Sequence, residues 1–163
     1  YRDPEATCLA LKNDMSEIKY SCSSFIKNIT SYYYSEQTDK YKSSDMYFFG
    51  FDALNHINEY ILFFNRNNIS ANLFDIRVFL TVYENKFCIY NSLLKLQKYN
   101  LIKIEQCCDY YQIVRVAEKL RMLSIKFKLS NNHEILNLMF HDLTILIKNE
   151  KNIISKILTY YHE

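Results

Sequence analysis

Apolar residues recur along this chain at intervals of three and four residues, which is the spacing that places them on one face of an α-helix. Polar stretches rich in Ser, Asn and Asp separate the apolar segments, and residues 34–45 form the longest of these stretches, which predicts a crossover loop. The pattern predicts helices over residues 14–33, 51–66, 71–98, from the Cys107-Cys108 pair to Asn131, and 133–160.

The stripe of the third predicted helix is the clearest signal in the chain. The third predicted helix carries Leu73, Ile76, Leu80, Tyr83, Phe87, Tyr90 and Leu94, and the last carries Leu136, Met139, Leu143, Leu146, Ile153 and Ile157. Helices with one apolar face bury that face by packing side by side. We therefore predict an all-α fold, an up-and-down or crossover bundle of four long helices plus one shorter helix, formed as a single domain by residues 1–163.

Composition supports the helical prediction and excludes several function classes. The chain contains Gly 1 and Pro 1, whereas tight turns, sheet bulges and phosphate-binding loops depend on glycine. Its net charge of +2 is spread along the chain, so we predict no nucleic-acid binding. The apolar runs are too short to span a bilayer, so we predict no membrane insertion. The bias toward Asn, Lys, Ile and Tyr is typical of AT-rich genomes, such as those of large DNA viruses or AT-rich parasites.

Residues that carry chemistry form no pattern that indicates an enzyme. The four histidines are spaced neither as metal ligands nor as the base of a nucleophile. His141 lies next to Asp142, but a solvated helix face explains this pair better than acid-base catalysis does. We predict no catalytic residue, no metal site and no cofactor.

The cysteines allow two interpretations. They are Cys8, Cys22, Cys88, Cys107 and Cys108. In an intracellular protein they would be small buried apolar residues with reduced thiols. In a secreted protein, Cys8 would be bridged to Cys107 or Cys108, and Cys22 to Cys88 across the core, each bridge adding about 2–5 kcal/mol of stability.

Secretion is also indicated by two further features. The chain begins at Tyr1 with a polar segment typical of a mature protein after removal of a signal peptide. Asn28 and Asn68 each begin an Asn-x-Ser/Thr sequon, which predicts N-glycosylation. We therefore expect the chain to be secreted.

The two ends of the chain carry a family resemblance. Cys8-Leu9, Asp14-Met15 and Phe25-Ile26-Lys27, together with the segment from His141 to Ile147, are similar to the first and last helices of the interleukin-10 family, and most of all to its interleukin-20 subfamily. Thr144 stands where that family has Asp, and Cys22 and Cys88 have no counterpart in it.

This resemblance implies a secreted viral cytokine mimic that binds a host cell-surface receptor and modulates immune signalling. The family engages two-chain receptors through its first helix, the following loop and its last helix. The contacts implied here are Glu17, Lys19, Lys27, Lys40, Lys42, Asp142 and Lys148.

An alternative resemblance places the chain in the host cytoplasm. The segment Asn58-Glu59-Tyr60-Ile61 is similar to a stretch of the poxvirus Bcl-like proteins, which are helical bundles of comparable size. It implies a protein that holds a helix or an adaptor of the host by surface contacts and so blocks apoptosis or innate immune signalling. The Trp-containing helix junction common in that group is missing, because the chain has no Trp. A third possibility is a parasite surface antigen with its own helical fold.

Overall fold

The computed structural model of the protein describes residues 22–36, 48–98 and 101–162. These residues form a bundle of five α-helices, and the predicted all-α fold is confirmed. The elements are α1 (Cys22–Tyr33), α2 (Gly50–Arg66), a 3-10 turn (Ala71–Leu73), α3 (Arg77–Lys98), α4 (Ile104–Ser130) and α5 (Glu134–His162). Residues 14–21 of the first predicted helix and most of the predicted crossover loop lie outside the described residues.

Helix α5 lies at the centre of the packing, against α4, α2 and α1, while α3 packs against α4. Every residue of its predicted stripe, from Leu136 to Ile157, is buried. The predicted stripe is therefore confirmed. It is buried along its length because α4, α2 and α1 pack against this face of α5. Amide side chains add polar contacts at the edge of the α2-α5 interface, where Asn65 Nδ2 lies 2.7 Å from Asn137 Oδ1.

Gly50 allows α2 to begin close to the end of α1. Its φ of +54° lies in the left-handed region, and a Cβ built there would lie 2.0 Å from the backbone oxygen of Tyr32. Any other residue would therefore push the two helices apart. The only glycine of the chain thus stands at a position that requires one.

Helix α3 begins later than the sequence predicts, at Arg77 instead of residue 71. Phe74 is extended and buried, and its ring contacts those of Phe64, Phe79 and Phe127 at 5.0–5.6 Å between centroids. The Lys128 ammonium donates to the carbonyl oxygen of Phe74 at 3.0 Å, and the Asp75 side chain accepts from the Arg77 N–H at 3.0 Å. Continuing the helix back to residue 71 would break all of these contacts.

The buried face of α3 also differs from the predicted one. The residues that face the core are Phe79, Val82, Lys86, Leu93 and Leu96. The predicted stripe is only partly buried: Leu80, Phe87 and Leu94 are exposed by 39%, 44% and 37%, and Ile76, Tyr83 and Tyr90 are half-buried against the core. The period was correct and the phase was wrong by one residue, which is a rotation of about 100° around the helix axis.

Neighbouring residues Phe74 and Leu73 provide a direct stability test of the corrected start of α3. We expect Phe74→Ala to lower the free energy of unfolding by about 3–5 kcal/mol, because the ring is fully packed. Leu73→Ala is expected to cost less than about 0.5 kcal/mol, because that side chain is 72% exposed. Urea unfolding followed by circular dichroism measures both, and equal losses would contradict the structure.

Candidate functional site

A groove of about 520 Å³ runs between α2 and α3. It exists because α2 is held mainly on α5 and α3 mainly on α4, so the two helices leave a space between them. The walls are mostly apolar: Ala53, Leu54 and Ile57 line it on α2, and Val78, Thr81 and Val82 on α3. Phe48 at one end and Thr81 on the wall are exposed, so the groove opens to solvent.

The floor of the groove reaches a cluster of buried polar side chains. Lys86 and Tyr32 line the groove, and beneath it the Lys86 ammonium lies 3.0 Å from Glu150 Oε2. The two side chains of this ion pair are 1% and 0% exposed. The Tyr32 hydroxyl lies 3.1 Å from the same carboxylate, and the Tyr110 hydroxyl donates to its other oxygen. The cluster therefore joins α1, α3, α4 and α5 through one carboxylate.

Burial dominates the electrostatics of this cluster. It raises the pKa of Tyr32 and of Tyr110 far above the ordinary tyrosine value, and the nearby Glu150 carboxylate raises both further. Burial lowers the pKa of Lys86, while Glu150 acts in the opposite direction. The tyrosines therefore remain protonated donors. A buried carboxylate with three donors has its hydrogen-bonding capacity well used, which is what a structural ion pair requires.

The cluster was missed in the sequence, although both charged residues interrupt apolar stripes. Glu150 lies between Leu146 and Ile153, at the gap in the predicted stripe of α5. Lys86 stands four residues after Val82 and seven before Leu93, in the face that proved to be buried. A charged residue on an apolar face is the signal that could have indicated a buried ion pair. To use it, one would have had to recognise that Lys86 on α3 and Glu150 on α5 carry opposite charges and face each other.

The predicted disulfides are not found among the described residues. Cys107 and Cys108 are thiols near the start of α4. Cys107 points into the core, where burial raises its pKa, and Cys108 is exposed, since successive residues of a helix point in different directions. Cys88 is exposed on α3. Each predicted bridge also needs a cysteine that the structure does not describe. These are Cys8, for the bridge to Cys107 or Cys108, and the side chain of Cys22, for the bridge to Cys88.

The two sequon asparagines are both exposed. Asn28 lies on α1, and Asn68 lies in the turn after α2 with a positive φ of 48°. Both side chains can be reached from solvent, so glycosylation at these sites stays a prediction.

The predicted receptor contacts are only partly described. Lys27 on α1 and Lys148 on α5 are exposed, and Asp142 is half-buried, with its carboxylate 2.8 Å from the Lys119 ammonium. That ion pair engages the Asp142 carboxylate with a residue of α4. The other predicted contacts, Glu17, Lys19, Lys40 and Lys42, lie outside the described residues.

The described part of the chain shows neither a metal-ligand cluster nor a membrane-spanning helix. Within it, no group of three or more His, Cys, Asp and Glu side chains is placed to hold a metal ion. None of its helices combines the length and the apolar character needed to cross a membrane. No family model, no curated protein and no solved structure matches this chain.

We expect Lys86→Met to lower the free energy of unfolding by about 3–5 kcal/mol, because it leaves the Glu150 charge buried without its counter-ion. The double variant Lys86→Met with Glu150→Gln is expected to recover at least half of this loss, since the amide is neutral and can still accept from Tyr110.

The matched control is Lys126→Met, which removes an exposed lysine of α4 and is expected to change stability by less than about 0.5 kcal/mol. Urea unfolding at neutral pH compares all of these variants. If Lys86→Met costs no more than the control, the buried ion pair does not stabilise the fold.

Proposed function

We propose that this chain binds a partner protein by accepting an apolar helix of that partner in the groove between α2 and α3. The observation that carries the proposal is the groove itself, an apolar channel with a helix on each side. Among the functions that the sequence raises, the Bcl-like alternative is the one in which the chain holds a helix of a partner. The proposed role is therefore to hold a helix of a host protein and so block apoptosis or innate immune signalling.

The pattern of lining residues favours a helical occupant. Val78, Thr81, Val82 and Asn85 are spaced by three and four residues, so the α3 wall is a continuous ridge along the helix. An amphipathic helix inserts apolar side chains at similar intervals into a channel of this kind. The polar Thr81 and Asn85 are both exposed and could contact the hydrophilic face of such an occupant.

The cysteines are compatible with a reducing compartment. Cys107 and Cys108 are thiols, and cytosolic proteins keep their thiols reduced. The buried Cys107 acts as a small apolar residue of α4 and needs no bridge for its packing.

Filling the groove should weaken the binding of the partner helix. We expect Ala53→Arg to weaken the binding of an amphipathic helical peptide at least about tenfold, because the long side chain occupies the channel and brings a charge into it. Fluorescence polarisation with a panel of labelled helices from mitochondrial death-regulator proteins measures the affinities.

Asn55→Arg is the matched control, because Asn55 is an exposed residue of the same helix that does not line the groove. Thr81→Arg repeats the block from the α3 side at an exposed position, so that a folding defect of one variant does not decide the outcome. If no helix of the panel binds, or if both blocking variants bind as the control does, the groove is not the binding site.

A second candidate is the secreted cytokine mimic, and one observation favours it. Helix α1 packs against α5, and both Lys27 and Lys148 are exposed on these neighbouring helices. Receptor binding through the first and last helices requires this proximity. In this alternative, the partner is a host cell-surface receptor.

Counting thiols separates the two compartments. We expect five alkylated cysteines per chain in denaturant without reductant, because a cytosolic protein has no disulfides. Intact-mass spectrometry of the protein purified from its native compartment gives the number. If only three cysteines or one cysteine are alkylated without reductant, and all five after reduction, the chain contains one or two disulfides. That result would contradict a cytosolic location and favour the secreted cytokine.

A further inference from the structure

Helix α3 has a second apolar surface, on its other flank. Leu80, Phe87 and Leu94 are exposed at intervals of seven residues, and half-buried Tyr83 and Tyr90 stand three residues after the first two of them. This is the spacing of a coiled-coil seam, in which the exposed leucine and phenylalanine positions correspond to a and the tyrosines to d. We call these five residues the α3 seam. Such a seam fits another helix running along it.

Only one edge of the α3 seam is available to a partner. On one side, the g positions Phe79, Lys86 and Leu93 are buried in the chain's own core. On the other side, the e positions Arg77, Glu84 and Lys98 are exposed, with half-buried Asn91 between the last two. In a parallel pair of helices, e positions face g positions, which are inaccessible here. In an antiparallel pair related by a two-fold axis, e positions face each other, as this surface permits.

The charges at the e positions distinguish the possible registers of an antiparallel pair of α3 helices. A two-fold axis near Glu84 would place two glutamates together, and an axis near Phe87 would place Arg77 against Lys98 of the second copy. An axis near Asn91 instead places Glu84 of each copy against Lys98 of the other. Like charges at these positions destabilise a helix pair and opposite charges stabilise it. In the favoured register, Tyr90 of each chain also meets Leu94 of the other.

We propose that two copies of this chain associate through antiparallel α3 seams, with reciprocal ion pairs between Glu84 and Lys98. In this register residues 84–98 of the two helices overlap, so Phe87, Tyr90 and Leu94 of the seam supply the contact, and the two ion pairs select the register. Tyr111 of α4 extends the apolar surface, since its ring lies 5.4 Å from that of Tyr90. The helix-binding groove lies on the opposite flank of α3, lined by Val78 and Thr81, so this association leaves it open.

Charge reversal tests the contact without touching the core. Sedimentation velocity of the wild-type chain over a concentration series is expected to show a species of twice the 19.6 kDa chain mass. Glu84→Lys alone and Lys98→Glu alone are each expected to raise the dissociation constant of the dimer about tenfold, because two attractive pairs become two repulsive ones. An equimolar mixture of these two single variants restores both pairs, so native mass spectrometry is expected to show the heterodimer in preference to either homodimer.

The control is Lys148→Glu, a charge reversal of an exposed lysine on α5, which is expected to leave the dimer unchanged. Phe87→Gln removes an exposed apolar side chain of the seam and is expected to yield monomers whose circular dichroism equals that of the wild type. The proposal is overturned if the wild-type chain stays monomeric throughout the series. It is also overturned if a dimer forms that neither charge reversal weakens, because another face then makes the contact.

Discussion

The buried ion pair between Lys86 and Glu150 is the interaction on which the arrangement of the helices depends. It joins α3 to α5, and the hydroxyls of Tyr32 and Tyr110 bring in α1 and α4. Taking two charges out of water costs several kcal/mol per ion, which only well-aligned partners offset. Apolar faces tolerate small rotations of a helix, whereas this cluster does not. The ion pair therefore fixes the rotation of α3 about its own axis.

Both surfaces of α3 follow from that rotation. Once Lys86 points toward Glu150, Phe79 and Leu93 must face the core, and Leu80 and Phe87 must face away from it. The same rotation directs Thr81 toward the gap beside α2, where it lines the groove. If α3 were rotated by about 100° so that the predicted stripe faced the core, the seam would be buried and the Lys86 ammonium would turn away from Glu150. One polar constraint thus determines which apolar side chains of α3 stay exposed.

The sequence predicted helices well where a single apolar stripe exists and failed where two compete. In α5, every predicted core residue is buried, and the other apolar residues Ile135, Ile154 and Leu158 widen the same buried face. In α3, one stripe runs through Leu80 and Phe87 and another through Phe79 and Leu93, one residue apart, and periodicity cannot choose between them. The start of α3 was misplaced because Phe74 packs among rings from distant segments. The groove was not predictable from the sequence, because it forms only when α2 packs on α5 and α3 packs on α4.

The two apolar surfaces of α3 differ in shape, and this difference separates their proposed occupants. The groove is a channel between two helices, so it fits an element that inserts side chains between its walls. The α3 seam is the convex side of a single helix, so it fits another helix of matching period laid along it. Exposed apolar faces of this regularity promote association in water. The seven-residue repeat of exposed side chains would not stabilise a monomer. In the proposed dimer the more regular stripe faces outward, since a seam between two helices requires a stricter repeat than a core that many side chains fill together.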